Sequence, residues 1–234
     1  MIRIEKLNKN FGKLHVLKDI DVEMQDGNIY AIVGPNASGK TTLIKSILGL
    51  VKPDSGSIDV NGERVNGNYS YRKNLGYMPQ LARFPENLTV KEILRLVRDL
   101  RGNPEQTDQE LIEKFKIENE MNKIVKNLSG GTRQKVSAII AFLFNPQILI
   151  LDEPTAGLDP ISSGVLKDKI IADSKAGKTF ILTSHIMSEV EELANQIIFL
   201  LDGEIRFKGS VDLFQSHTQE KKLERAIAAM MGNL

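Results

Sequence analysis

Gly34-Pro35-Asn36-Ala37-Ser38-Gly39-Lys40-Thr41 is the stretch on which the reading of this chain turns. It fits Gly-x-x-x-x-Gly-Lys-Thr, a loop built to cradle phosphates. The apolar run Ile29-Tyr30-Ala31-Ile32-Val33 precedes it and reads as a buried strand. Thr42-Leu43-Ile44-Lys45-Ser46-Ile47-Leu48 follows it and reads as a helix. In that strand-loop-helix context, backbone N–H groups can wrap phosphate oxygens and the helix start adds partial positive charge. Lys40 is then expected to reach the β- and γ-phosphates, and the Thr41 hydroxyl to ligate Mg²⁺. Gly34, Pro35, Asn36, Ala37, Ser38, Gly39, Lys40, Thr41 and Thr42 are accordingly the candidate nucleotide-binding residues of this half of the chain.

A second element lies downstream. Ile148-Leu149-Ile150-Leu151 is an apolar strand that ends in two acids, Asp152 and Glu153. At a strand end both carboxylates can turn toward one site. Asp152 suits the Mg²⁺ shell, and Glu153 suits polarising a water for attack on a γ-phosphate. Between the two elements stands Leu128-Ser129-Gly130-Gly131, ahead of a helical pattern over Thr132–Phe144. Two glycines let backbone approach a phosphate closely, and a serine hydroxyl at a helix start can meet negative charge.

The bulk of the chain sets limits. At 234 residues it is long enough for one domain with a subdomain. Hydrophobic residues are 41% and charged residues 26%, an ordinary globular balance. The net charge of +1 gives no overall attraction for nucleic acid or anionic membrane. Cysteine is absent, which excludes disulfides, thiol catalysis and cysteine metal sites. The first residues lack a signal-peptide core, and no apolar run nears the ~20 residues that span a bilayer. The chain is expected in the cytoplasm, with any membrane-spanning part supplied by another polypeptide.

Patterning predicts strands over Ile2–Leu7, Val16–Met24, Ser57–Val60 and Leu75–Met78. Thr89-Val90-Lys91-Glu92 is a capping-box pattern before an apolar helix, and Thr107-Asp108-Gln109-Glu110 repeats it. The middle, roughly 82–145, reads as a helical insert. Beyond it come a helix over Pro160–Ala172, a strand over Thr179–Thr183 and a helix over Ser188–Ala194. Ile197–Leu201 and Glu204–Lys208 form a hairpin around Asp202-Gly203. Lys221–Met231 has helical spacing and is expected to be a short packing helix.

Taken in this order, the motifs resemble the nucleotide-binding subunits of ABC (ATP-binding cassette) transporters over essentially the full chain. Gly34–Thr41 matches that family's Walker A, Leu128–Gly131 its signature and Ile148–Glu153 its Walker B with the catalytic glutamate. The resemblance adds roles for further residues. Gln80 falls at the Q-loop glutamine, which senses Mg²⁺ and faces the membrane subunit. Ala156-Gly157-Leu158-Asp159 matches the D-loop, His185 the switch histidine, and Phe11 the aromatic that stacks on adenine. Phe84, just after Gln80, is an anchor candidate for the membrane subunit. His15 and His217 match no motif and are read as structural. Asp159-Pro160 is also a good helix start.

The resemblance implies an α/β fold: a P-loop nucleoside triphosphatase core, mostly a parallel sheet flanked by helices, with an antiparallel β subdomain and a helical subdomain. The core and β subdomain would occupy roughly 1–81 and 146–215, the helical subdomain 82–145, and a C-terminal helix 216–234. Catalysis would fall to Glu153, His185 and Gln80, Mg²⁺ binding to Thr41, Gln80 and Asp152. ATP would also touch Ser129, Gly130, Gly131 and Asp159. Two ATPase subunits would sandwich ATP head to tail and drive separate membrane-spanning permease subunits, from the inner face of the membrane and without nucleic acid. The competing reading is a soluble ABC ATPase of translation or DNA repair. It is disfavoured by the single cassette, the absence of a long heptad run and the near-neutral charge.

One position departs from the family. Thr132 stands where the signature most often continues with Gln. A narrower resemblance also runs through Ser184-His185-Ile186-Met187-Ser188-Glu189, Phe199-Leu200-Leu201-Asp202-Gly203 and Leu223-Glu224-Arg225-Ala226-Ile227-Ala228-Ala229-Met230. These look like the ATPase of the copper-processing ABC system for nitrous oxide reductase maturation.

Overall fold

A computed structural model describes residues 1–67 and 69–232. In chain order its elements are β1 (Ile2–Phe11), β2 (Leu14–Met24), β3 (Ile29–Val33), α1 (Lys40–Ile47), β4 (Ser55–Val60), β5 (Glu63–Arg64), β6 (Leu75–Met78), α2 (Val90–Leu100), α3 (Glu110–Lys114), α4 (Gly130–Phe142), β7 (Ile148–Asp152), α5 (Pro160–Lys175), β8 (Thr179–Thr183), α6 (Met187–Leu193), β9 (Gln196–Leu201), β10 (Glu204–Ser210), α7 (Val211–Thr218) and α8 (Leu223–Gly232). They fall into two compact units, residues 1–72 with 179–234, and residues 73–178.

The first unit holds an antiparallel sheet in the order β2-β1-β4-β5. It also holds a parallel arrangement in which β3 lies between β8 and β9. All five residues of β3 and of β8 are buried, which is why these strands read as continuous apolar runs rather than alternating ones. Each Ile or Leu buried there contributes about 1.5–3 kcal/mol. β10 returns antiparallel on β9 through Asp202 and Gly203, both at positive φ, as a two-residue hairpin requires. Strands β1 and β2 run further than alternation predicts, up to Phe11 and back from Leu14. Register shifts at Leu7, Lys9 and Asn10 break the period that would have marked them.

The second unit pairs β6 with β7 in parallel, Leu75 opposite Ile148 and Met78 opposite Leu151. α2 begins with the expected capping box: the Thr89 side chain accepts from the Glu92 N–H at 3.2 Å, and the Glu92 carboxylate accepts from the Thr89 N–H at 2.8 Å. The Thr89 backbone N–H above all, and then the Thr89 hydroxyl, which donates to the same oxygen at 2.8 Å, hold the Glu92 carboxyl below its ordinary value. The matching pattern at Thr107 does not cap α3. That helix starts after Gln109 with no side-chain cap: the Thr107 hydroxyl accepts from the Gln109 side-chain amide, and Asp108 and Glu110 pair with Lys169 on α5, each at 2.7 Å. α4 starts two residues earlier than Thr132, since the Ser129 hydroxyl caps it and admits Gly130 and Gly131 to the first turn. Among the described residues no helix is long and apolar enough to cross a membrane. The last two positions of the expected C-terminal helix, 233 and 234, lie outside the described residues.

Candidate functional site

The first unit carries the phosphate loop. Parallel pairing of β3 with β8, Ala31 opposite Leu182, brings their C-terminal ends to one edge of the sheet. Gly34–Gly39 leaves β3 at that edge, and Thr183-Ser184-His185 leaves β8 there. The hairpin at Gly203 supports the loop: its N–H donates to the Ser38 carbonyl at 3.1 Å, and its carbonyl accepts from the Lys18 N–H at 2.8 Å. Gly34 shows why glycine is needed. Its φ is +150°, and a Cβ built there would lie 2.0 Å from the Leu200 carbonyl oxygen. Sequence reading missed this buttress, because its partners are more than 160 residues from the loop.

The loop is arranged for an anion. Lys40 Nζ lies 2.8 Å from the carbonyl oxygens of both Gly34 and Pro35, so its ammonium folds over the loop. α1 has no side-chain cap and no acid in its first turn, leaving its positive end for a negative group. The Ser38 hydroxyl is buried without a hydrogen-bond partner. A phosphate oxygen would satisfy it; otherwise such a group carries a desolvation cost. Thr41 and His185 are exposed. Phe11, 51% exposed, ends β1 with the Lys9 ammonium 5.3 Å from its ring centroid. Of the other histidines, His15 Nε2 bonds Asn8 Oδ1 at 2.9 Å, and the His217 ring centroid lies 5.9 Å from that of Phe207.

The second unit carries the acids, Gln80, the signature and the D-loop. With Met78 opposite Leu151, Gln80 and Glu153 each stand two residues beyond a paired strand end at one edge. Asp152 and Glu153 are each 8% exposed. Glu153 sits at φ +52°, the left-handed region that non-glycine residues seldom enter. Such strain collects at functional sites. Burial raises the Tyr77 hydroxyl above its ordinary value, and the Asp152 carboxylate adds to the rise.

Three motifs meet in this unit. Gln80, Leu81, Ala82 and Arg83 line a cleft of about 490 Å³ with Gly130, Arg133 and Gln134 of α4 and Ala156 and Gly157 of the D-loop. Gly131 packs against the D-loop so closely that a Cβ on it would lie 2.7 Å from the Gly157 carbonyl oxygen. Asp159 caps α5, accepting from the Ser162 N–H at 2.9 Å, and pairs with Lys135 of α4 at 2.9 Å. The hydrogen bond from Lys135, with those from Ser162, holds the Asp159 carboxyl well below the ordinary carboxylate range. Asp159 thus serves both as the helix cap and as the tie between D-loop and signature helix. Phe84 is half-buried and Leu81 is 65% exposed.

A strand-loop-helix phosphate cradle on a parallel sheet, with an acid pair at the end of a buried strand, defines the class of P-loop nucleoside triphosphatases. The family model described as ABC transporter matches residues 17–156. The lantibiotic transport ATP-binding protein SrtF of Streptococcus pyogenes is 34% identical over 215 residues, spanning 91% of this chain and 92% of that protein. The glutamine transport ATP-binding protein GlnQ of Bacillus subtilis is 30% identical over the whole of both chains. A solved structure of an ATP binding subunit of an ABC transporter superposes with a TM-score of 0.91 at 29% identity, over 99% of each chain. The chain belongs to the ABC transporter family and is an ATPase cassette of that family.

Proposed function

We propose that this chain powers a multi-subunit transporter by ATP-driven closure of a cassette dimer, working on the inner face of the membrane with separate permease subunits. The observation that carries the reading is the phosphate loop with its buried, unpartnered Ser38 hydroxyl and its uncapped helix start. Both features await an anion.

In this reading Gly34–Thr42 and Lys40 hold the ATP phosphates, and Phe11 stacks on adenine. Glu153 takes the proton of the attacking water, His185 steadies the γ-phosphate, and Gln80 reports on the metal. The residues proposed for Mg²⁺ are Thr41, Gln80 and Asp152. One carboxylate, one hydroxyl and one amide oxygen suit Mg²⁺, which takes few protein ligands and completes its shell with phosphate and water. Among the described residues no cluster of three or more His, Cys, Asp or Glu competes as a cation cage.

Ser129, Gly130, Gly131 and Asp159 would face the ATP held by a second copy. The γ-phosphate would then join two chains, and hydrolysis would remove that bridge. Closure is a population shift, set by the tighter binding of ATP to the closed state. The finer cargo reading is copper handling for nitrous oxide reductase. Its support is the run of residues around Ser184–Glu189, Phe199–Gly203 and Leu223–Met230. The two relatives are named for a lantibiotic and for glutamine, so they support transport and not this cargo.

The test is affinity capture of the tagged chain from its native membranes in mild detergent. Stoichiometric recovery of a polytopic membrane protein supports the transporter reading. Recovery with ribosomes or repair proteins, and no membrane protein, contradicts it. Assembly of the copper site in that reductase after deletion of the gene decides the cargo.

A further inference from the structure

β2 holds one side of the end of β1 that presents Phe11, through Asn10 opposite His15 and Phe11 opposite Leu14; on the other side a side chain takes the place of a strand. β1 and β4 pair antiparallel as far as Asn8 opposite Ser55. The Asn8 carbonyl takes one more bond, from the Asp54 N–H at 2.9 Å. Pro53 then stops the ladder on the β4 side, since it has no N–H to give. Beyond that point the Asp54 carboxylate takes over. One oxygen accepts from the Asn10 N–H at 2.6 Å and from the Asn10 side-chain amide at 3.2 Å. The other oxygen accepts from Lys9 Nζ at 2.9 Å.

Lys9 joins this clamp to the aromatic ring. The Lys9 ammonium lies over the Phe11 ring, 5.3 Å from its centroid. A second set of bonds braces the base of the same segment. The Asn8 side-chain amide donates to Asp19 at 2.7 Å, and its oxygen accepts from the Asp19 N–H at 3.1 Å. A half-exposed aromatic at a hairpin tip would otherwise be free to turn. Here β2 and the Asp54 clamp hold the backbone that carries it, and the Lys9 ammonium lies on one face of its ring.

We propose that Asp54 is a positioning residue for base recognition: through Lys9 and Asn10 it sets the Phe11 ring for stacking on adenine. The proposal rests on the reading of Phe11 as the adenine contact. The hydrogen bonds from Lys9 and Asn10 lower the Asp54 carboxyl to about 2, so the clamp stays charged throughout the neutral range. The Asp54 carboxylate bonds Lys9 and Asn10 of β1 and not Gly34–Gly39, so its effect should appear on the base and not on the phosphates.

The experiment compares magnesium ATP with magnesium tripolyphosphate, which carries the phosphates without the base, by calorimetric titration. The proteins are wild type, Asp54→Ala, Asp54→Asn, Lys9→Met and Phe11→Ala. Asp54→Ala should weaken ATP about tenfold, within the range of a lost base–aromatic stack, and leave tripolyphosphate unchanged. Asp54→Asn keeps an acceptor for the Asn10 N–H and should fall between. Lys9→Met keeps the aliphatic stem and should also lower ATP alone. Unchanged ATP affinity in Asp54→Ala, with ATP weakened in Phe11→Ala, overturns the role of Asp54 alone. An equal fall for both ligands in Asp54→Ala overturns it too, as general damage. Wild type that binds ATP no better than tripolyphosphate overturns the adenine contact itself. Wild type that binds neither overturns the nucleotide reading.

Discussion

Thr132 is tied to Ser129 at the start of α4: its N–H donates to the Ser129 hydroxyl at 3.0 Å, and the two hydroxyls lie 2.9 Å apart. The backbone bond is the ordinary helix cap. The hydroxyl pair is available because this chain has Thr where the family most often has Gln. It leaves the Ser129 oxygen oriented even though the longer amide is missing.

Thr132→Gln should therefore change ATP turnover by less than about tenfold, since the N–H that caps the helix remains and caps of this kind are worth ~1 kcal/mol. Steady-state phosphate release measures it. A near-total loss would show that the Thr hydroxyl is indispensable to the signature.

The two signature glycines should respond differently to a methyl group. A Cβ on Gly130 meets nothing within 4 Å, whereas one on Gly131 collides with the Gly157 carbonyl. Gly131→Ala should lower stability by about 1–3 kcal/mol, the usual cost of overpacking, and disturb the D-loop. Gly130→Ala should stay near the small helix-propensity effect, if anything stabilising. Urea unfolding of both variants tests this, and equal stabilities would contradict the contact.

Lys169 is the hub of the second unit. Its side chain is only 6% exposed and its ammonium meets Asp108, Glu110 and Asp173, at 2.7, 2.7 and 3.2 Å. Burial alone would lower it, but the hydrogen bonds it donates to Asp108 and Glu110 outweigh that and hold it above the ordinary lysine value. Lys169→Met leaves Asp108 without its cation, while Glu110 keeps Lys114 at 2.7 Å and Asp173 keeps Lys178 at 2.6 Å. Loss of one partner from a buried pair costs about 3–5 kcal/mol, and an unfolding free energy lowered by ~3 kcal/mol is expected. A variant as stable as wild type would mean that the carboxylates re-solvate freely.

Much of this molecule could be read from its sequence, and what could not has a physical cause. The phosphate loop was legible because its chemistry lies in consecutive residues, between a fully apolar strand and a helix. The Asp202-Gly203 hairpin was legible because positive φ restricts the residue choice. The two capping patterns look alike, yet only Thr89 forms its box. Asp108 and Glu110 pair with Lys169, 59 or more residues away, which local pattern cannot reveal. The extension of β1 to Phe11 was hidden by bulges. The contact between Gly131 and Gly157 depends on the packing of α4 against the D-loop, and that is a tertiary fact.

In the proposed cycle Glu153, buried just past β7 at positive φ, is the base for the ATP hydrolysis that reopens a closed dimer. Glu153→Gln keeps the shape and removes the base. Light scattering with and without magnesium ATP measures the dimer, and phosphate release measures hydrolysis. Glu153→Gln should bind ATP, accumulate as an ATP-dependent dimer and release almost no phosphate. A variant that turns over near the wild-type rate, or binds ATP and stays monomeric, would contradict it.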